Sequence, residues 1–357
     1  MAFINGIILL DAPASALNNS NKAADADYDN EVGVKMIKTK EGVLPYVSAQ
    51  SFRFWLRSTL EQQPTWKAHT APIFRDNKIA YTDANPLRWW DDDLFGYMRA
   101  ESKKTTAKEA RAEAGERKDE TETKTSITRT SPFRMSTLVS IAPVTLTKDF
   151  GTMSRHEGDP VPHSHQFYRA TLKGLFSLDL NRAGTFSYRE QSGSRNLDEV
   201  RIGLAKEQGL EHDEPSKEFR LPLEERTERI SSLLKGLAQL EGGAKQAIHY
   251  TDVTPAIIMA VVLKGGNNPL HYVIVSDEKG KPVVHIEALE QAVAVWKDKM
   301  LSKLYVGWVK GFHDNEREKL ETALQNLSFA YQLDHPRVIL EALASDVQNP
   351  ANAHWLE

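Results

Sequence analysis

A chain of 357 residues, 40% hydrophobic and 26% charged, has an ordinary globular make-up, long enough for one large domain with insertions or two smaller ones. It contains no cysteine, which excludes disulfides, zinc ribbons and thiol nucleophiles. A net charge of −4 argues against indiscriminate coating of nucleic acid, and the longest apolar runs, "IILL" (7–10) and "AIIMAVVL" (256–263), are too short to cross a bilayer. The opening "MAFINGIILLDAP" has neither a basic leader nor a small-residue cleavage site, so a cytoplasmic protein is expected.

Residues 2–10 read as a first strand, and the polar loop "NNSNKAADADYDNEVG" (18–33) follows. "VKMIK" (34–38) alternates like a short edge strand. "SAQSFRFWLRSTLE" (48–61) then reads as a helix capped by Ser48. At 100° per residue Phe52, Trp55, Leu56, Thr59 and Leu60 share one side, while Gln50, Arg53 and Arg57 line the other. Pro64, Pro72 and Pro86 punctuate an irregular region that ends in the aromatic patch "PLRWWDDDLFGYMRA". Residues 99–129 carry no aromatic residue and read as a mobile insertion, too poor in apolar surface to offset ordering entropy. Strand character resumes in "SPFRMSTLVSIAPV" (131–144), and a Gly/Pro-punctuated excursion occupies 145–164. "HQFYRATLKGLFSLDL" (165–180) is a second long strand. A helix at 222–240, the pair Gly242-Gly243, a strand region at 247–265 and helical patterns at 286–305, 314–327 and 335–345 complete the chain, the last started by Asp334 and Pro336. Without the insertions the order is strand, helix, strand, strand, helix, strand, the split βαβ plan of ferredoxin-like and RRM-like α+β folds. That plan hosts many functions and names none.

Several clusters offer chemistry. The Gln50-Arg53-Arg57 row, beginning at a helix N-terminus, has the donors to grip phosphate; a plain solvated face has the same spacing. "DADYDNEVGVKM" (25–36) sets Asp25, Asp27 and Asp29 at alternate positions, but Asn30 and Met36 stand where an EF-hand needs Gly and Glu. Those carboxylates suit either a magnesium ion for RNA cleavage or a flexible polar loop. His156, His163, His165 and Asp159 are metal-ligand types within ten residues, or simple hairpin histidines. In "KGLFSLDL" (173–180), Lys173 and Gly174 fit the RRM base-stacking motif, but Leu175, Ser177 and Leu180 replace its aromatics. Gly242-Gly243-Ala244-Lys245 suits close approach to a phosphate or a glycine helix cap. Charge is segregated: residues 31–75 hold seven Lys/Arg against three Asp/Glu, and residues 207–228 hold eight acids against three bases.

"YVSAQSFRFWLR", "LVSIAPV", "HQFYRATLKGLFSLDLNRAGTF" and "GGAKQAIHYTDVTP", in this order, resemble the backbone (Cas-seven type) subunit of type I CRISPR Cascade complexes, in the DevR-like type I-B branch. The resemblance spans residues 2 to about 265. It implies a right-hand shape: an RRM-like palm (1–64, 131–144 and 165–285), a finger insertion (65–130) with a mobile tip at 99–129, and a thumb hairpin (145–164), followed by a helical part at 286–357. It further implies a non-catalytic scaffold, without cofactor or metal, that stacks with copies of itself along a CRISPR RNA among other Cascade subunits and meets target DNA through the guide. Carried over by motif, Lys35, Lys38, Ser48, Gln50, Arg53, Arg57, Gly242, Gly243 and Lys245 would hold the RNA backbone, and Phe150 and Met153 would form the thumb's apolar wedge. In related type III complexes the backbone subunit cuts RNA with a loop aspartate, which keeps an endoribonuclease using Asp25, Asp27 or Asp29 as an alternative; a stand-alone RNA-binding regulator is another.

Overall fold

The computed structural model describes residues 1–20, 31–76, 79–101, 120–155, 157–191 and 194–357. Its main sheet is built from β1 (Ala2–Ser15), β2 (Met36–Lys38), β3 (Val43–Val47), β4 (Leu138–Ser140), β5 (Thr147–Met153), β6 (Val161–Asp179), β7 (Ile257–Lys264), β8 (Leu304–Trp308) and β9 (Tyr331–Asp334). Helices α1 (Ala49–Leu60), α2 (Leu223–Ala238), α3 (Ile286–Trp296), α4 (Asp314–Asn326) and α5 (Pro336–Gln348) pack on it. Strand order is β9-β8-β7-β1-β6-β4-β3-β2, with β5 hairpinned onto the start of β6. All of these neighbours are antiparallel except the β8–β9 pair. Strands β1, β4, β6 and β7 with α1 and α2 make a βαββαβ unit, and β8, β9 and the short β2 extend it on either side.

Strand β1 is buried without a break from Ala2 to Leu10, and mostly apolar there, because the sheet is covered on both faces. Ile4, Ile8 and Leu10 face Phe52 and Leu56 of α1, Leu233 and Leu237 of α2, and Leu340 of α5 in one core. Ile7 and Leu9 face Leu289 and Val293 of α3 and Leu320 and Leu324 of α4 in another. Period-two alternation thus feeds two layers from one strand. Helices α1 and α2 cross where Gly236 leaves room; a Cβ there would strike Leu60. The buried side of α1 is the expected set, Phe52, Trp55, Leu56, Thr59 and Leu60, and Ser48 caps the helix by accepting from the Ser51 amide at 3.2 Å.

Three expectations are corrected. The helical pattern at 286–305 ends at Trp296, and Leu304 begins β8, whose five residues are all buried in the sheet. The last helix is capped by the His335 side chain, with Pro336 in its first turn, and not by Asp334. Of the supposedly mobile 99–129 stretch, residues 102–119 lie outside the described residues, but both flanks are packed: Arg99, Thr123, Ile127 and Arg129 are at most 5% exposed. Buried polar partners order the second flank, through the Thr121 amide to Asp83, the Lys124 amide to Asp198 and Arg201 to the Glu122 carbonyl.

Candidate nucleic-acid interface

The N-terminus of α1 has unpaired amides and partial positive charge, and side chains fix what surrounds it. Asn18, just past β1, donates to Ser51 Oγ at 2.7 Å, and its carbonyl accepts the Lys35 amide at 2.9 Å. Asn18 Oδ1 also takes the Ser48 amide at 3.4 Å. Residues 18, 35 and 48 are thereby held together. Gln50 projects from the first turn into solvent.

The glycine loop closes onto this group. Gly242 and Gly243 have φ of 153° and 102°, and a Cβ would strike Trp55 at Gly242 and Leu17 at Gly243. Close packing as well as backbone conformation demands glycine at both positions. The Ala244 amide donates to the Leu17 carbonyl at 3.1 Å, and Lys245 follows in the left-handed region at φ 58°. The Gln246 side chain bonds the Gly242 carbonyl and both backbone groups of Thr251. His249 turns inward, 2.6 Å from His165 on β6 and stacked on Phe167. Burial lowers the His165 pKa first; His249 and Lys245 push the same way. Asp149 of β5 stands 3.6 Å from His165. The hairpin base, the glycine loop and the helix terminus therefore adjoin one another.

Of the sequence candidates, Lys35, Ser48, Gln50, Gly242, Gly243 and Lys245 gather here. Lys38 is exposed on the edge strand β2, and no described hydrogen bond ties its side chain to the group. Arg53 is not a free donor, and Arg57 is held over a ring without a described hydrogen bond. Both guanidinium groups lie over the Phe95 ring, at 5.3 and 4.8 Å from its centre. Arg53 also bonds the Phe95 carbonyl and Ser131 Oγ. Burial, then the Arg57 charge, lowers its pKa to about 10. The face that periodicity makes polar is covered by the segment around 90–95 and by Ser131, a tertiary contact invisible to helical spacing.

Phe150 and Met153 are each 59% exposed on the hairpin. Pairing of Phe150 with Ser164 and of Met153 with Val161 puts them on opposite faces of the ribbon. Lys173 is not in a base-reading surface: its ammonium donates to the His271 and Ile274 carbonyls, both at 2.9 Å, and burial lowers its pKa. Among the described residues no three His, Asp or Glu side chains gather as metal ligands; His165 pairs with His249 and His163 lies over Gly151. Asp25, Asp27, Asp29 and His156 lie outside the described residues. No membrane-length apolar helix occurs among the described residues.

Sequence reading missed Asn18, Gln246 and His249. Their only signal was proximity to turn residues, since each acts through contacts made by the folded chain.

Amides, a helix dipole, Lys35 and Lys245 in one place suit the oxygens of a phosphodiester. No curated protein sequence matches the chain. Solved chains resemble it in fold, among them two from RNA-guided surveillance complexes. One, from a "CRISPR RNA-guided surveillance complex", is 12% identical, with a TM-score of 0.49 over 96% of this chain and 98% of that one. Another, from a "CRISPR RNA-guided surveillance complex, pre-nicking", is 11% identical, with a TM-score of 0.51 over 97% of this chain and 100% of that one, a likeness of fold. Residues 10–281 match the family described as CRISPR-associated negative auto-regulator DevR/Csa2, and the chain belongs to that family.

Proposed function

We propose that the protein is a non-catalytic backbone subunit of a type I CRISPR Cascade effector, of the type I-B branch, which binds guide RNA through phosphates and presents it to target DNA. The observation that carries this reading is the convergence of the capped α1 terminus, Lys35 and the Gly242–Lys245 loop on one another. The βαββαβ unit serves as an RRM-like palm, residues 65–130 as a finger and the hairpin within 145–164 as a thumb. Copies of the chain line up along one guide in the cytoplasm, joined by other Cascade subunits. The solved relative with the higher TM-score is named for an RNA-guided complex, which supports a guide as the ligand.

Co-expression with a CRISPR array and repeat-processing machinery tests this directly. Uniform guide RNA should co-purify with an assembly of many copies, whereas a monomer free of RNA would favour the regulator named in the family description. Guide-loaded assemblies given complementary RNA and magnesium should leave it intact. Cleavage lost on changing Asp25, Asp27 or Asp29 to Ala would overturn the scaffold reading.

A further inference from the structure

Beyond the glycines, the 245–251 loop alternates sharply between inside and outside. His249 is held by His165 and Phe167, and Thr251, 4% exposed, bonds Ser15 at 2.6 Å. Ile248 and Tyr250, on either side of His249, are 58% and 80% exposed. The loop is not free to fold these two away. The Ile248 and His249 amides both bond the Lys245 carbonyl, and Gln246 staples the Gly242 carbonyl to Thr251. A locked loop thus holds an aliphatic and an aromatic side chain in water, a few residues from Lys245.

Tyr250 also lines an open cleft of about 490 Å³ with Pro255, Pro336, Arg337, Glu241 and Asp252. Its two carboxylates disfavour a phosphate, and its one guanidinium, Arg337, is already paired with Glu341 at 2.9 Å. Apolar surface and hydrogen-bond acceptors suit instead a neutral, flat ring with an N–H donor, which every base presents as NH2 or ring N–H. Phosphate is favoured on the Lys245 side of the loop and disfavoured on the Tyr250 side. That division matches one nucleotide, backbone on one side and base on the other.

We infer that Tyr250, flanked by Ile248, is a stacking platform for an unpaired nucleobase of the bound RNA. This rests on the RNA-binding reading and adds to it a base contact. The contact is indifferent to sequence, because every base has a π-face.

The test uses the full-length protein and two probes of equal length, a short oligouridylate and an abasic phosphodiester with the same number of phosphates. Wild type should bind the base-bearing strand about tenfold more tightly than the abasic one. Tyr250→Ala should abolish that ratio and Tyr250→Phe should restore it, with the salt dependence of binding the same in all three proteins. Lys245→Ala should do the reverse, flattening the salt dependence while keeping the ratio. If wild type binds neither strand, the RNA-binding reading falls and the platform with it. If wild type binds both strands and Tyr250→Ala leaves the ratio unchanged, the platform alone is refuted. Loss of self-association in Tyr250→Ala at unchanged RNA affinity also refutes it, and assigns the loop to a contact between copies.

Discussion

At Arg53 one guanidinium has two candidate partners, the proposed RNA phosphate outside and the Phe95 carbonyl inside. The inside claim is visible: a carbonyl bond, a bond to Ser131 Oγ, a cation–π contact and a pKa lowered to about 10, by burial first and Arg57 second. Arg53→Ala removes these together and leaves a buried carbonyl unpaired, which should cost about 1–3 kcal/mol of unfolding free energy. A lower urea midpoint at an unchanged slope would show it; a midpoint equal to wild type would mean the contacts are made with water as well as with protein. The Arg53–Arg57 double variant is therefore a poor probe of RNA binding, because weaker binding could follow from a shifted α1. Gln50 and Lys245, whose side chains make no comparable internal contacts, separate the two effects.

The short helix Trp90–Phe95 shows how an element can be misread from its letters. "DDD" looks like acids placed to complement a helix dipole at the surface. All three are buried instead, each facing a different element. Asp91 accepts the Ala71 amide, Asp92 accepts Thr82 Oγ1 and the Asn85 amide, and Asp93 pairs with both Arg129 and Arg229. Burial first, then the Asp91 charge, raises the Asp92 carboxyl above its ordinary 3.8. A carboxyl raised in the folded state holds its proton there while the unfolded chain has lost it. Its stabilising contribution is complete below pH 3.8 and fades as pH rises through the folded value. The melting temperature should accordingly fall from mildly acidic pH toward neutral and beyond, with Asp92→Asn flattening that slope; parallel profiles for the two proteins would contradict the assignment. The β5–β6 hairpin carries a different expectation. With Phe150 and Met153 on opposite faces and both exposed, either Ala variant should stay within about 0.5 kcal/mol of wild-type stability. Chemical probing of bound guide should lose its periodic reactivity with one of the two substitutions, not with both alike. Equal effects would mean that the tip, and not a single face, enters the RNA.

At the scale of the molecule, what could be read from the sequence was what depends on local pattern: the α1 stripe, the Ser48 cap, the two long strands and the edge position of "VKMIK". The rest depends on partners far away in the chain. Strand β8 does not read as a strand, its first two residues falling in the helical pattern at 286–305, because a strand buried on both sides has no alternation to display. Asn18 passed as a loop residue because its partners lie beyond residue 30. Since β1 feeds both cores, the layers should melt together. Far-UV circular dichroism and tryptophan fluorescence, which sees Trp55 in one layer and Trp308 in the other, should give coincident transitions; two midpoints would mean that the β8–β9 side opens alone. The central place of β1 also sets a timetable for synthesis. Its residues leave the ribosome long before its partners do, since Phe3 pairs with Asp179 and Ala2 with Lys264. At ordinary translation speeds "AFINGIILL" waits on the order of ten seconds or more before both flanking strands exist. Throughout that interval it is a bare apolar strand with two open edges. Nascent chains stalled before residue 165 should therefore bind a holding chaperone, and slowing translation of residues 165–264 should lower the soluble yield.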